Sequence, residues 1–369
     1  MNGIMQPGQQ LAALLQQIEP LYDAPMAMAR ARQQALAKPP GSLGELEALS
    51  VQLAGITGHV HNHVDKTRIY VLAADNGVVC EGVSCSPQSV TRAQAINLTR
   101  GLTGASTLAK HFGDELVVVD MGIALPYTCA AIVPRSLGKG TGNIAVEPAM
   151  PRALAVRGVL TGMELAAEAR RDGVQLLGVG EMGIGNTTTS AAVLCALSGA
   201  SVEEITGRGG GLTDAAFETK KRVIAQALRC NRPDAQDVLD VLAKVGGFDL
   251  CAMTGVFLGA AHERIPVVVD GFISIVAALC AARLQPNARG VMIGSHVSYE
   301  RGYRVAQELL QLRPFLQLGL RLGEGSGCPL AFRVIEAACA VLNDMASFSE
   351  AAIDDGYLTE IRKKDCFTV

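Results

Sequence analysis

The sequence predicts a doubly wound α/β fold, in which helices cover both faces of a mostly parallel sheet, and two observations support it. Short apolar runs that end near Gly or Asp alternate with longer helical stretches, which is typical of parallel strands joined by helical crossovers. Three helical stretches also precede the first of these runs. The predicted strands are residues 69–74, 116–119, 176–179, 267–269, 291–293 and 316–320.

The helices are predicted from apolar residues that recur every three or four positions. Pro20 and the pair Pro39-Pro40 separate the first three helices from one another. No basic residue precedes the apolar run within residues 1–17, so we interpret that segment as an amphipathic helix and expect a cytoplasmic protein without a secretory signal. The predicted helices are residues 11–18, 26–36, 43–53, 187–197, 215–228, 235–245, 272–282 and 330–345.

Composition argues against two classes of partner. The net charge is −3 and only 4% of the residues are aromatic, so a nucleic acid would find neither a basic field nor stacking platforms. The most apolar window, residues 265–282, contains Pro266 and Asp270, which favour a strand followed by a helix over a membrane span. We therefore expect a partner that is neither a nucleic acid nor a membrane.

Cysteine and histidine spacing gives no metal signature. The ten cysteines include no Cys-x-x-Cys pair, which argues against a structural zinc site. His59, His61 and His63 alternate, but no acidic or thiol ligand accompanies them. We interpret these histidines as part of an exposed connection.

Glu324 is the first candidate for a catalytic base. It stands between Gly323 and Gly325 after an apolar run, residues 315–322, and a predicted helix follows it. Glycines on both sides let a substrate approach a carboxylate closely, and loops after strands are where α/β proteins place their ligands. The alternative is a solvated glutamate in a turn near the start of a helix.

Glycine-rich segments after predicted strands suit an anion. Residues 180–188, with Gly183, Gly185, Asn186 and Thr187, leave a strand and enter a helix that Asn186 or Thr187 could cap. The alternative is a capped turn without a ligand. Two further candidates are residues 207–211, followed by a helix with Lys220 and Lys221, and residues 138–143. Together these loops favour a phosphorylated small substrate, and none of them matches an ATPase P-loop.

Paired acidic residues are also missing where a phosphosugar enzyme would need them. Transfer from a diphosphorylated sugar usually requires Mg²⁺ between acidic residues, but Asp120 and Asp270 each stand alone after a predicted strand. We therefore expect no metal and no cofactor. One carboxylate, Glu324 or Glu181, is expected to transfer the proton.

Seven segments taken together resemble the nicotinate-nucleotide:dimethylbenzimidazole phosphoribosyltransferases. They include A-D-N-G-V after the first strand, G-E-M-G-I-G-N-T-T after the third and R-L-G-E-G-S-G around Glu324. The resemblance extends from about residue 38 to residue 345 with the segments in matching order. The segments are residues 38–44, 74–78, 82–87, 180–188, 244–249, 270–272 and 321–327.

The resemblance implies a reaction and roles for individual residues. Members of the family transfer phosphoribose from nicotinate mononucleotide to 5,6-dimethylbenzimidazole or a related base. It implies that Glu324 is the general base and that Glu181 hydrogen-bonds near the substrates. It also implies that Ser86, Gln94 and Met182 shape the base pocket. The positions expected to bind the nucleotide and its phosphate are Gly183, Gly185, Asn186, Thr187, Gly207, Gly209, Lys220, Ser295, His296 and Gly325.

The resemblance further implies the architecture. It predicts a six-stranded Rossmann-like domain over residues 61–329, a small helical domain made from residues 1–60 and 330–369, and a homodimer. Asn76 and Ile96 depart from the family pattern at positions where His and Glu are common, so the sequence leaves open a purine or phenolic acceptor. A non-catalytic nucleotide-binding subunit or sensor is the alternative from another class.

Overall fold

A computed structural model describes residues 6–364 of the chain, and its centre is one sheet of six parallel strands. The strand order is β3-β2-β1-β4-β5-β6, so the chain starts in the middle, moves to one edge and then returns to build the other half. The prediction of a doubly wound α/β fold is confirmed. The strands are β1 Thr67–Ala74, β2 Glu115–Gly122, β3 Val133–Pro134, β4 Leu176–Met182, β5 Val267–Val269 and β6 Met292–Gly294.

Five of the six predicted strands are confirmed, and the sixth is wrong. Residues 316–320 form a single bridge, between Leu316 and His296, because Gly319 then turns the backbone to a φ of 65° and Leu318 points into solvent. The sixth strand of the sheet is instead β3, which is only two residues long and includes Pro134. A proline cannot donate to a ladder, and this one lies at the edge of the sheet, where that loss is tolerated.

Helices cover both faces of the sheet, as predicted, and the eight predicted helices agree with the structure in position. The described helices are α1 Pro7–Gln16, α2 Asp23–Ala35, α3 Glu45–Thr57, α4 Ser89–Thr99, α5 Gly104–Phe112, α6 Arg152–Arg171, α7 Asn186–Ser198, α8 Val202–Ile205, α9 Asp214–Asn231, α10 Val238–Val245, α11 Phe248–Glu263, α12 Phe272–Leu284, α13 Gly302–Leu310, α14 Cys328–Asp344 and α15 Thr359–Lys364.

Strand β1 shows how the two faces are divided. All eight of its residues are buried, and alternate side chains enter different apolar clusters. Tyr70 and Leu72 pack in the cluster that includes α6, α7, α11 and α12. Ile69 and Val71 pack in the cluster that includes α3, α4, α5 and α14. A strand buried on both faces is the arrangement that requires a nearly continuous apolar run, which is what the sequence provides.

Helices α6 and α11 touch through their backbones. A Cβ at Gly162 would overlap the carbonyl oxygen of Ala252, and a Cβ at Gly255 would overlap that of Val159. Glycine at both positions lets the two helix axes approach closely. This contact holds α6 and α11 together within the same apolar cluster.

Helices from the N-terminal and C-terminal parts of the described chain meet beside the sheet. Ala29 of α2, Ala54 of α3 and Leu342 of α14 form a small buried cluster. Helix α14 also packs on the sheet through Phe332 and Ile335. The division into a helical domain, residues 1–60 and 330–369, and a large domain, residues 61–329, remains a proposal. Residues 1–5 and 365–369 of that prediction lie outside the described residues.

Two further expectations concern the connection that contains three histidines and a possible membrane span. His59, His61 and His63 are exposed in the connection between α3 and β1, as predicted. Within residues 6–364, no helix combines the length and the apolar character that a membrane crossing requires.

Candidate functional site

A cleft opens at the carboxyl edge of the sheet. Loops that follow β1, β4, β5 and β6 contribute to its lining. The strand order reverses between β1 and β4, and such a switch point leaves a crevice where α/β proteins bind their ligands. The cleft is therefore the candidate functional site.

Glu324 lies beside this cleft in the connection between α13 and α14, and not directly after a strand as predicted. Its φ is 62°, and Gly323 and Gly325 both have a φ of 80°. Three successive residues are thus left-handed, a conformation that costs a residue with a Cβ roughly 1–2 kcal/mol. The loop also rests on the backbone of β4, because a Cβ at Gly180 would lie 2.5 Å from the carbonyl carbon of Glu324.

The Glu324 carboxylate is buried, so the alternative of a solvated turn glutamate is wrong. The residue is 3% exposed, and its Oε2 accepts a hydrogen bond of 3.3 Å from the backbone N–H of Ala105, in the first turn of α5. Leu322 lies against Gly104 at the same place. The carboxylate therefore lies behind the cleft wall that Leu322 and Gly323 form.

Glu181, at the end of β4, lines the cleft and connects it to the Glu324 loop. Its Oε1 accepts a hydrogen bond of 3.4 Å from the backbone N–H of Glu324, and its Oε2 accepts a short one from the side-chain amide of Asn186. Burial, together with the negative charge of Asp249, raises the pKa of Glu181 to about 8. Near neutral pH this carboxyl therefore holds its proton for much of the time.

Replacing Glu181 by glutamine is expected to flatten the dependence of stability on pH. The pKa of about 8 in the folded chain exceeds the ordinary value of 4.5, so the stability linked to this proton is complete below pH 4.5 and is lost as pH rises towards 8. Glutamine cannot ionise. Chemical unfolding between pH 5 and 8.5 should find the variant gaining a few kcal/mol over the parent chain at the alkaline end.

The control for that comparison is the exposed Glu164, whose change to glutamine should leave the parent slope intact. Parallel curves for the parent chain and Glu181→Gln would contradict the assignment of a raised pKa to Glu181.

Asp249 is a buried neighbour of Glu181 that the sequence did not single out. It is fully buried at the N-terminal end of α11, and burial raises its pKa to about 6. Its Oδ1 accepts a hydrogen bond of 2.9 Å from the backbone N–H of Leu250. In the sequence it closes the segment of residues 244–249, one of the seven that carry the resemblance, two positions after Gly247.

The residues predicted for a base pocket are only partly brought together. Ser86 and Met182 line the cleft. Gln94 does not line it, and its Oε1 accepts a hydrogen bond of 3.0 Å from Asn97 on the same helix, α4. Asn76, the departure from the family pattern, is fully buried and accepts a hydrogen bond of 3.3 Å from Thr189. The predicted roles of these residues remain predictions.

Residues 183–187 form the glycine-rich wall of the cleft. Gly185 has a φ of 92° and precedes α7, so the N-terminus of that helix, the positive end of its dipole, lies at the cleft. The expectation that Asn186 or Thr187 caps this helix is wrong, because neither side chain bonds to its first turn. Asn186 binds Glu181, and Thr187 accepts a hydrogen bond of 2.8 Å from Lys220.

Lys220 binds the second glycine-rich loop, residues 207–211. It is 1% exposed, and its ammonium donates to Thr187 and, over 3.1 Å, to the carbonyl of Gly207. Burial lowers its pKa to about 8. Glu300 binds the same loop, since its Oε1 accepts a hydrogen bond of 2.9 Å from the backbone N–H of Gly209. Gly209 lines the cleft, whereas Gly207 and Lys220 lie behind it.

The third candidate anion loop, residues 138–143, does not line the cleft and packs instead against the segment that follows β1.

Within the described part of the chain, no group of three or more His, Cys, Asp or Glu side chains has an arrangement that could hold a metal ion.

Ser295 and His296 follow β6 beneath the Glu324 loop. The Ser295 hydroxyl lies 2.9 Å from Nδ1 of His296, and His296 lines the cleft. Both side chains are buried against Asp270, which follows β5 and binds the backbone of Gly325 and Gly327. Burial raises the pKa of Asp270, although the nearby His296 opposes that shift. The sequence indicated only an isolated acidic residue at Asp270. No local sequence pattern predicts its contact with residues more than fifty positions away.

The chain is similar to known proteins over nearly its whole length. Residues 18–353 match a protein-family model described as Phosphoribosyltransferase. The nicotinate-nucleotide–dimethylbenzimidazole phosphoribosyltransferase of Clostridium perfringens is 47% identical over 359 residues, which cover 97% of this chain and 99% of that one. The protein of the same name from Clostridium tetani is 44% identical, covering 96% and 98%. The crystal structure of CobT from Thermus thermophilus matches with a TM-score of 0.87 and 38% identity, covering 90% of this chain and all of that one.

Proposed function

The chain belongs to the nicotinate-nucleotide–dimethylbenzimidazole phosphoribosyltransferase family, and we propose that its cleft transfers phosphoribose from nicotinate mononucleotide to 5,6-dimethylbenzimidazole or a related azole. The products are α-ribazole 5′-phosphate and nicotinate, in the nucleotide-loop branch of cobalamin biosynthesis. A phosphoribosyltransferase of this kind needs an anion site, a flat pocket and one base.

The reaction needs little from the protein beyond orientation and one proton acceptor. The azole nitrogen attacks C1′ of the ribose, the bond from C1′ to the pyridinium nitrogen breaks, and its electron pair stays on nicotinate. The leaving group loses its positive charge and requires no proton. The azole N–H proton passes to a carboxylate, and attack from the opposite face turns the β-nucleotide into an α-nucleotide. Holding both substrates in line supplies a large part of the rate.

One observation carries the assignment: the contact between Glu181 and the backbone of Glu324 at the cleft. It brings the candidate base next to the wall formed by residues 183–187, where the N-terminus of α7 suits the donor phosphate. Because Glu181 keeps its proton near neutral pH, Glu324 is the carboxylate that serves as the base.

Glu324 reaches the acceptor by a rotation of its own side chain. Its carboxylate accepts the N–H of Ala105 and is covered by Leu322, which is 55% exposed. A side chain that exposed moves aside at little cost. Binding of the azole then displaces Leu322 and draws the carboxylate from Ala105 towards the ring nitrogen.

The direct experiment incubates purified protein with nicotinate mononucleotide and 5,6-dimethylbenzimidazole and follows both products by chromatography. We expect nicotinate and α-ribazole phosphate to appear in equal amounts. Parallel reactions with other azoles, purines and phenols rank the acceptors, which the departures at Asn76 and Ile96 leave open. Binding of the nucleotide without product from any acceptor would indicate the alternative, a non-catalytic binding subunit.

We also propose that the chain acts as a homodimer in the cytoplasm. This assembly follows from the resemblance of the sequence to the family. Sedimentation equilibrium of the full chain would distinguish a dimer from the 38.6 kDa monomer.

A further inference from the structure

Asp270 is a buried carboxylate whose two oxygens both bind the loop that carries Glu324. It follows β5 and is 2% exposed. Its Oδ1 accepts a hydrogen bond of 2.7 Å from the backbone N–H of Gly327, and its Oδ2 accepts one of 3.2 Å from that of Gly325. Its own N–H donates over 3.1 Å to the hydroxyl of Ser274 on α12. Asp270 thus links the sheet to the Glu324 loop by two bonds.

The loop needs such a restraint because its conformation is not intrinsically favoured. Glu324 is left-handed between two left-handed glycines, and a residue with a Cβ adopts that region only when its surroundings hold it there. Hydrogen bonds to a charged acceptor contribute about 1.5–3 kcal/mol each, which is more than the cost of one left-handed residue. The two hydrogen bonds that Asp270 accepts therefore stabilise the turn.

The backbone at Gly327 also packs closely against Asp270 and Ser295. A Cβ at that position would lie 2.8 Å from Oδ1 of Asp270 and 2.8 Å from the hydroxyl of Ser295. The backbone of the loop thus fits directly onto the polar ends of β5 and β6. His296 completes this contact, with Nδ1 3.8 Å from Oδ1 of Asp270.

We propose that Asp270 is a positioning residue for the general base. By fixing the N–H groups of Gly325 and Gly327 it sets the place from which the Glu324 side chain works, and its own oxygens are already occupied by the loop. The idea rests on the proposed function for its kinetic consequence, and on the hydrogen bonds alone for its structural one.

The test replaces Asp270 by asparagine, which keeps the shape but turns an N–H donor towards one of the two loop N–H groups. We expect kcat to fall about 100-fold with the KM for nicotinate mononucleotide changed less than about threefold, because the donor loops stay in place and the base is displaced. Hydrogen exchange of the backbone amides in residues 323–328 should accelerate at the same time. Asp237→Asn is the matched control, since Asp237 also accepts two backbone N–H groups, at the start of α10, away from the cleft.

Each outcome tests either the positioning role of Asp270 or the proposed function. Unchanged exchange in residues 323–328, or faster exchange with normal kcat, would overturn the role of Asp270 while the transferase activity of the parent chain stood. Absence of transfer by the parent chain would instead count against the proposed function, and exchange would then decide the positioning role. If Asp270→Asn does not fold, Ser274→Ala removes the bond to Asp270 N–H, and we expect a fall in kcat of roughly fivefold to tenfold. Parent-like kcat and exchange in that variant would also overturn the proposal.

Discussion

Replacing Glu324 by glutamine is expected to lower kcat by about 100- to 10,000-fold, the usual contribution of a general base. Glutamine has nearly the same shape, and its amide oxygen can still accept the N–H of Ala105, so the buried side chain keeps its place. It cannot take the azole proton. Steady-state kinetics with saturating azole measure the loss, and calorimetric titration with nicotinate mononucleotide should find binding within about threefold of the parent chain.

Glu181→Gln is the matched comparison, because it changes the other carboxyl of the same site by the same single substitution. We expect it to retain much more activity than Glu324→Gln, since a neutral amide resembles the protonated carboxyl of Glu181. Near-normal turnover by Glu324→Gln, together with a large loss in Glu181→Gln, would transfer the role of base to Glu181.

Replacing Gly180 by alanine is the second large effect we expect, and its cause is steric. A Cβ at this position in β4 would overlap the backbone N of Gly325 and lie 2.5 Å from the carbonyl carbon of Glu324. The three nearest atoms are all backbone atoms of Glu324 and Gly325, so no flexible side chain can move aside. The loop must lift from the strand, so kcat should fall by about 100-fold or more, and the free energy of unfolding should fall by about 1–3 kcal/mol.

Denaturant unfolding and steady-state kinetics on the same preparation separate these two effects. Gly8→Ala is the control for the substitution itself, because a Cβ at Gly8, in α1, meets nothing within 4 Å. It should leave kcat unchanged and stability equal or slightly higher. Parent-like activity of Gly180→Ala would show that the Glu324 loop does not need its contact with β4.

The sequence predicted the sheet well because buried parallel strands must be apolar on both faces. Strand β1 is apolar over nearly its whole length, and a pattern so continuous has few other interpretations. The error at residues 316–320 arose because leucines at alternate positions also occur in this loop, where they are exposed or half-buried. Only the turn at Gly319 and the exposure of Leu318 separate the two cases, and both depend on tertiary structure. A two-residue strand such as β3 has too few residues for any periodicity.

The candidate site was predictable where one short segment carries the chemistry. Residues 180–188 combine a strand, a glycine turn and a helix start, and the structure places that turn in the cleft. Asp270 shows the limit, because its importance lies in two hydrogen bonds to residues 55 and 57 positions later. Its surroundings in the sequence were those of any acid after a strand. Gln94 shows the converse, since the resemblance that implied a place in the base pocket did not reveal that its amide oxygen accepts a hydrogen bond from Asn97.

The close contact between α6 and α11 couples a distant part of the core to the charge of the cleft. Gly255 lies in the same helix as Asp249, so any side chain that forced the two helices apart at Gly255 would also move that carboxylate. The negative charge of Asp249 helps Glu181 to keep its proton. The distance between the backbones of α6 and α11, remote from any substrate, thus contributes to the pKa of Glu181 in the cleft.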